Sequence, residues 1–253
     1  MFASTDQLLA GKIALITGAS KGIGAATALE LASHGAKVVI NYSSDAAPAE
    51  ALVKQIGAGQ AIAIKANAGS IPEIERLVKE TVAWGGKIDI LIPNAGAAIM
   101  ATVEQTTEED FTRTYDINVK GPYFLVQKAL PHLATGSHVV LLSTSLCASS
   151  TITPNYLLYT SSKGAIEQMT RILAKDLGTR GINVNAVAPG PTGTDLFYKG
   201  KSDELVKTIA SSNPFKRLGT PEEIAKAIVF LCGDGGSWVS GQILRVNGGM
   251  TVG

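Results

Sequence analysis

The chain has 253 residues, of which 45% are hydrophobic, so it is long enough to bury a sizeable core. Its net charge of +1 and its lack of a Lys/Arg cluster argue against a nucleic-acid-binding protein. Its two cysteines are far apart, so we expect no metal site. It has no run of about 18 apolar residues, so we expect no membrane span. Its first residues lack the pattern of a secretory signal, so we expect a cytoplasmic location.

Short apolar runs alternate with helix-length amphipathic segments from one end of the chain to the other. The runs are rich in Val, Ile and Leu, as in parallel strands that are buried on both faces. The predicted strands are 12–17, 37–41, 61–65, 88–92, 139–142, 182–187 and 243–246, and the predicted helices include 22–33, 71–83, 103–133 and 156–177. This order predicts an α/β fold: a single Rossmann-type doubly wound parallel sheet of about seven strands with helices on both faces.

Two further signals lie in the last quarter of the chain. Residues 191–214 are the least regular segment and follow a predicted strand, at the sheet edge where open α/β sheets bind ligands. We interpret this segment as a loop and short helix that cover the substrate, within one dinucleotide-binding catalytic domain over residues 1–253. Thr220, Pro221 and Glu223 form a capping pattern that predicts the start of another helix.

A glycine-rich turn follows the first predicted strand and precedes the first predicted helix. It reads Thr17-Gly18-Ala19-Ser20-Lys21-Gly22-Ile23-Gly24. Glycine allows positive φ angles and a close approach of backbone to ligand, and a helix N-terminus attracts anions. The turn therefore predicts a site for the pyrophosphate of a dinucleotide, with these cofactor-binding residues: Gly18, Ser20, Lys21, Gly22, Ile23 and Gly24.

Three motifs together carry a family resemblance: the GxxxGxG turn, Asn94-Ala95-Gly96 after the fourth predicted strand, and Tyr159-Thr160-Ser161-Ser162-Lys163. They resemble the TGxxxGxG, NAG and YxxxK motifs of the short-chain dehydrogenase/reductase family, and the resemblance covers essentially the whole chain. It implies that Asn94, Ala95 and Gly96 back the adenosine side of the cofactor and that Asn67 contacts the adenine. It also implies that a PGxxxT-like segment holds the nicotinamide carboxamide and the phosphates, through Pro189, Gly190, Thr192 and Thr194.

The end of the second predicted strand carries no carboxylate. Asn41 stands where NAD-binding proteins usually place Asp or Glu against the ribose 2′-hydroxyl. Lys21 can supply a positive charge to a 2′-phosphate, and Tyr42, Ser43 and Ser44 can add hydrogen bonds. In the family that the chain resembles, this combination goes with NADPH, so we predict NADP(H) as the cofactor.

Tyr159 and Lys163 are four residues apart, which places them on one face of a predicted helix. A lysine ammonium near a phenol favours the phenolate, so we expect Lys163 to lower the pKa of Tyr159. The phenol can then exchange a proton with a carbonyl oxygen, and Lys163 can also bond the nicotinamide ribose. The resemblance further implies a helix irregularity at Asn118, which holds a water linked to the lysine.

A hydroxyl side chain is expected to polarise the substrate carbonyl, and Ser143-Thr144-Ser145 leaves its identity open. Counting back from Tyr159 reaches Ser145 at the spacing usual in the family. Aligning the strand 139–142 forward reaches Thr144 instead. We take Ser145 as the catalytic hydroxyl and Thr144 as the alternative, with Cys147 and Tyr156 in the same pocket.

These observations predict an NADP(H)-dependent oxidoreductase that reduces a ketone to a secondary alcohol. The alternatives are an NAD-linked alcohol dehydrogenase and a non-catalytic NADP(H)-binding sensor. The resemblance is nearest to ketoreductases that act on acyl chains or on polyketide-like and aromatic ketones, and it implies a homotetramer or dimer. An apolar pocket is predicted from Ala97, Ile99, Met100, Leu146, Leu157, Phe197 and Tyr198.

Overall fold

The structure is a computed structural model that describes residues 8–252, so both ends of the predicted domain 1–253 lie outside the described residues. Seven parallel strands form one sheet in the order β3-β2-β1-β4-β5-β6-β7. They are β1 (Ile13–Ile16), β2 (Lys37–Tyr42), β3 (Ala61–Lys65), β4 (Ile88–Ile92), β5 (Leu133–Leu142), β6 (Asn183–Pro189) and β7 (Ile243–Val246). The strand order reverses between β1 and β4, which confirms the predicted doubly wound sheet.

Helices connect the strands and flank the sheet. They are α1 (Gly22–Ser33), α2 (Ala47–Ile56), α3 (Ile71–Gly85), α4 (Glu108–Tyr115), α5 (Gly121–Ala129), α6 (Leu157–Gly178), α7 (Asp195–Tyr198), α8 (Asp203–Ser212) and α9 (Pro221–Cys232). None of these helices, within residues 8–252, is long and apolar enough to cross a membrane. The same residues contain no group of three or more His, Cys, Asp or Glu side chains that could hold a metal ion.

Each face of the sheet carries its own hydrophobic core. Ala14 and Ile16 of β1 join the core beneath α1, α2 and α9, whereas Leu15 between them joins the core beneath α3, α5 and α6. Successive side chains of a strand point to opposite faces, so both faces must be apolar when helices cover both. This double burial explains why the strands are nearly continuous apolar runs in the sequence.

The predicted helix 103–133 is wrong at both ends. The helix begins only at Glu108, because Thr107 caps it through a capping box with Asp110. It ends at Ala129, a 3₁₀ turn containing Pro131 follows, and β5 begins at Leu133. Proline lacks the N–H that an α-helix needs, so the chain leaves the helix there.

Two other segments contain more helix than the sequence predicted. α2 is absent from the predicted helices, although Pro48 lies in its first turn and it buries Ala49 and Leu52. The irregular segment 191–214 contains two helices, α7 and α8, instead of one. α7 has only four residues, which is too few to show a helical period in the sequence.

The capping pattern before α9 is confirmed. Thr220 Oγ1 accepts from Glu223 N at 3.3 Å, and the Glu223 carboxylate accepts from Thr220 N at 2.8 Å. The Arg217 guanidinium beside Glu223 holds the pKa of that carboxyl down at about 2, so the box keeps its charge at neutral pH.

Replacing Thr220 by alanine is expected to lower the free energy of unfolding by about 1 kcal/mol, because an orphaned helix N–H loses its acceptor. Urea denaturation measures this change. Thr208→Ala is the control, since Thr208 lies inside α8 and its hydroxyl bonds only the Glu204 carbonyl. Equal losses in the two variants would contradict a specific capping effect.

Candidate active site

The turn between β1 and α1 has the backbone geometry that an anion site requires. Gly18 and Gly22 have φ angles of +60° and +57°, which favour glycine, and a Cβ on Gly18 would lie 2.9 Å from Ala95 Cα. α1 begins without a side-chain cap and without an acidic residue in its first turn. Its first amide groups therefore remain for a ligand, and Ser20 and Ile23 are partly exposed beside them.

Asn94 stabilises this turn. Its Nδ2 donates to the Thr17 carbonyl at 2.8 Å and the Gly18 carbonyl at 3.0 Å. Thr17 Oγ1 in turn accepts from Asn94 N at 3.0 Å and Ala95 N at 3.1 Å. A Cβ on Gly24 would lie 2.6 Å from Asn94 Nδ2, so only glycine fits there. The side chains of Asn94 and Thr17 thus hold the glycine-rich turn against the loop after β4. This structural role was not predicted from the sequence for either residue.

The structure corrects the position expected for Asn41. This side chain is 1% exposed, accepts from Gly18 N at 3.2 Å, and donates to the Ile64 and Ala66 carbonyls at 3.2 and 2.9 Å. It is therefore held in the interior and cannot meet a 2′-phosphate. Strand side chains alternate, so the next residue, Tyr42, is partly exposed at the end of β2, where Ser43 and Ser44 are also exposed.

The segment after β6 lies against the glycine-rich turn. A Cβ on Gly22 would lie 3.3 Å from Thr194 Cγ2, and the exposed Lys21 forms an ion pair with Asp195 at 3.4 Å. The Thr192 hydroxyl bonds the Gly190 carbonyl at 2.9 Å and stays within its own loop. Thus Thr194 contacts the turn, whereas the buried Pro189 ends β6 and Gly190 packs on Asn247. The predicted adenine contact, Asn67, lies in another segment and is exposed after β3.

Lys163 is a buried cation next to the end of β5. Its Nζ donates to the Leu142 carbonyl at 2.8 Å and lies 6.0 Å from the ring centroid of Tyr159. Burial lowers the pKa of Lys163 to about 8, because an ammonium group is poorly stabilised away from water.

The pKa of Tyr159 moves in the direction opposite to the one that we predicted. Burial raises it to about 12, and the neighbouring Thr144 hydroxyl offsets only part of that rise. Desolvation of the phenolate therefore decides the direction of the shift, and Lys163, whose hydrogen bond goes to the Leu142 carbonyl, does not reverse it. Tyr159 consequently keeps its proton at neutral pH and can act as a proton donor.

The three neighbouring hydroxyls have different partners. Thr144 is buried, its Oγ1 accepts from Leu146 N at 3.4 Å, and its hydroxyl lies close enough to the Tyr159 phenol to lower the pKa of that phenol. The Ser143 hydroxyl donates to Glu167 at 3.1 Å. Ser145 begins a 3₁₀ turn and is also buried, so its catalytic role stays a prediction. The nearness of Thr144 to Tyr159 supports Thr144, the alternative that the forward alignment of the strand indicated, and Ser145 stays the prediction from the spacing.

Asn118 lies in a π-helical turn, Asp116–Lys120, that joins α4 to α5. The side chain is fully buried; its Oδ1 accepts from Ala97 N at 2.8 Å, and its Nδ2 donates to the Ala97 carbonyl and to Ser162 Oγ, both at 2.9 Å. The structure therefore contains the helix irregularity that the resemblance implied.

The residues predicted to line an apolar pocket differ in exposure. Met100, Leu157 and Tyr198 are exposed and Phe197 is partly exposed, with Lys201 Nζ 4.7 Å from the Phe197 ring centroid. The others, which are all partly exposed, are Ala97, Ile99, Leu146, Cys147 and Tyr156. Burial raises the pKa of the Cys147 thiol, which keeps this group neutral.

Comparisons with known proteins agree with the motifs. A family model described as enoyl-(acyl carrier protein) reductase matches residues 18–251. The short chain dehydrogenase mdpC of Emericella nidulans is 42% identical, over 95% of this chain and 96% of that protein. Hydroxynaphthalene reductase-like protein Arp2 of Metarhizium majus is 39% identical over 97% of each. A short-chain dehydrogenase from Burkholderia cenocepacia, solved in complex with NADP, superposes with a TM-score of 0.91 at 34% identity, over 96% of this chain and 99% of that one.

Proposed function

The chain belongs to the short-chain dehydrogenase/reductase family of oxidoreductases, and on that premise we propose that it reduces a ketone to a secondary alcohol with NADP(H). The observation that carries the proposal is the position of Tyr159 one helical turn before the buried Lys163, whose Nζ lies 6.0 Å from the Tyr159 ring centroid and donates to the Leu142 carbonyl at 2.8 Å. At neutral pH the phenol is protonated, so it can donate its proton to a carbonyl oxygen, as reduction of a ketone requires.

The residues around the first turn fit a dinucleotide. The uncapped N-terminus of α1 and the glycines of its turn suit a pyrophosphate, and no carboxylate ends β2 to repel a 2′-phosphate. The similar Burkholderia cenocepacia protein was solved with NADP, which supports the same cofactor here. When bound, the nicotinamide supplies the hydride that reduces the carbonyl carbon.

The protein supplies the proton and the electrostatics. Tyr159 transfers its hydroxyl proton to the carbonyl oxygen, which becomes the alcohol. Thr144 donates a hydrogen bond to the same oxygen as negative charge develops on it, with Ser145 as the alternative donor. Lys163, where it is charged, stabilises the phenolate that remains on Tyr159.

The substrate that best suits this site is a largely apolar ketone. The predicted lining is aliphatic and aromatic, and segment 191–214 is proposed to cover it, within one domain spanning the chain. The name hydroxynaphthalene reductase-like, carried by relatives, supports an aromatic or polyketide-like ketone. A panel of such ketones assayed with NADPH and NADH tests the proposal. Oxidation of alcohols with NAD alone would favour the dehydrogenase alternative, and binding without turnover would favour a sensor protein.

We also propose a homotetramer, or a dimer, assembled through the helices on one side of the molecule. Phe111 on α4, Tyr123 on α5 and Ile172 on α6 are each about half exposed, at 48%, 52% and 57%. Apolar side chains of this size are usually covered in an assembly when they form a patch. Light scattering is expected to give a multiple of the 26.2 kDa chain mass, and a monomer would contradict this.

Lys21→Ala is expected to weaken NADPH binding by about 10- to 150-fold and to leave NADH binding nearly unchanged. The reason is that only NADPH carries a 2′-phosphate for the ammonium to bond. We expect a loss of affinity near the low end of this range, because the side chain of Lys21 is 68% exposed and water screens its attraction to the 2′-phosphate.

Dissociation constants of both cofactors for the wild type and the variant measure this preference. Lys175→Ala, on the exposed end of α6, is the control for a general loss of positive charge. Tyr42→Asp places a carboxylate at the partly exposed end of β2 and is expected to shift the preference toward NADH. An equal loss of both cofactors on Lys21→Ala would refute the role given to Lys21.

A further inference from the structure

Ser162 lies where two parts of the site meet, although the steps proposed above do not use it. It precedes Lys163 on α6, and its side chain is fully buried. Its Oγ donates to the Tyr159 carbonyl at 2.6 Å and accepts from Asn118 Nδ2 at 2.9 Å. One hydroxyl therefore joins the turn that carries Tyr159 and Lys163 to the π-helical turn.

The hydrogen bonds continue from Asn118 to the loop after β4. Asn118 bonds both the N–H and the carbonyl of Ala97, which follows the Asn94-Ala95-Gly96 motif. This loop also lies close to the lysine, since a Cβ on Gly96 would be 3.3 Å from Asn118 Oδ1 and 3.7 Å from Lys163 Nζ. A buried network whose groups are all bonded holds one arrangement of the elements that it connects.

We propose that Ser162 is a positioning residue, which sets the Tyr159–Lys163 turn relative to the π-helical turn and the loop after β4. The proposal rests on the proposed function, because it concerns the proton donor of that reaction. Without the hydroxyl, the Tyr159 carbonyl loses a donor, and Asn118 Nδ2 loses one of its two acceptors. The phenol and the ammonium can then shift, and a misplacement of about 1 Å is enough to cost about 100-fold in rate.

Ser162→Ala tests this inference against a matched control, Thr170→Ala. Thr170 is also fully buried on α6, and its Oγ1 donates to the Ile166 carbonyl at 2.8 Å without reaching Asn118. Turnover is measured per folded site, counted by titration with NADPH, so that a loss of folded protein does not lower it. We expect kcat to fall at least about tenfold in Ser162→Ala and to stay within about twofold of the wild type in Thr170→Ala.

The pH profile of kcat is a second readout, because movement of Tyr159 and Lys163 changes their environment. We expect it to be displaced in Ser162→Ala and unchanged in Thr170→Ala. If Ser162→Ala does not fold, Ser162→Cys takes its place, since a thiol is a weaker hydrogen-bonding group than a hydroxyl, and an intermediate loss is expected.

Wild-type kcat in the Ser162 variant, or equal losses in the Ser162 and Thr170 variants, would overturn the inference. Tyr159→Phe, assayed beside them, separates this failure from failure of the proposed function. If Tyr159→Phe is inactive while Ser162→Ala keeps full turnover, only the positioning role is refuted. If Tyr159→Phe keeps full activity, the proposed reaction itself is wrong.

Discussion

Tyr159→Phe is expected to lower turnover at least about 100-fold, because general acid catalysis by a positioned side chain typically contributes 10²- to 10⁴-fold. The substitution removes only the hydroxyl, so the ring continues to pack near Lys163. We therefore expect NADPH to bind with nearly unchanged affinity. Steady-state reduction of a ketone and a fluorescence titration with NADPH measure the two quantities separately.

Tyr156→Phe is the matched control for this variant. Tyr156 lies just before α6, is partly buried, and its pKa is also raised by burial. Removal of its hydroxyl is expected to leave most of the turnover intact, because Tyr156 lies outside the helical turn that pairs Tyr159 with Lys163. Turnover in Tyr159→Phe close to that of Tyr156→Phe would rule out Tyr159 as the proton donor.

Thr144→Ala is expected to lower turnover by roughly 10²- to 10³-fold, the effect of removing one hydrogen-bond donor from a developing oxyanion. The Thr144 hydroxyl lies near the Tyr159 phenol, so we expect a carbonyl oxygen in reach of the phenol also to be in reach of Thr144. Thr144→Ser, which keeps the hydroxyl, is expected to retain much of the activity.

Ser145→Ala and Ser143→Ala complete this series. The Ser143 hydroxyl already donates to Glu167 at 3.1 Å, so its removal is expected to affect stability more than turnover. Ser145 is the hydroxyl that the spacing to Tyr159 favours. A larger loss of kcat in Ser145→Ala than in Thr144→Ala would restore that assignment and show that the contact with Thr144 is not the catalytic one.

Features that depend on neighbouring residues were predictable from the sequence. Strands 61–65, 88–92 and 243–246 and helix 22–33 have the predicted bounds. A strand that is buried on both faces has an apolar run in its sequence, and an amphipathic helix has apolar residues with a period of about 3.6. Both patterns can be recognised from residues that are close in the sequence. The capping box at Thr220 is equally local, because its two hydrogen bonds lie within three residues.

The limits of the helix 103–133 show where local patterns fail. Its apolar period continues past both ends, whereas the structure stops it at Thr107 and at the turn that contains Pro131. Leu133 at one end is buried in β5, whereas Val103 at the other end is 70% exposed before the helix begins, so an apolar residue at helical spacing does not by itself locate a helix end. Caps and prolines decide where the helix begins and ends.

The site was predictable as a set of motifs and not as a set of contacts. By itself the sequence determined the fold class through its periodicity, the family through the resemblance of its motifs, and the position of Tyr159 and Lys163 on one helix through their spacing. Only the tertiary structure decided that Asn41 lies in the interior, that Lys163 donates to the Leu142 carbonyl, and that burial raises the pKa of Tyr159. Each of these features depends on hydrogen bonding and on desolvation. Both are set by groups that are distant in the sequence and surround the side chain only in the folded protein.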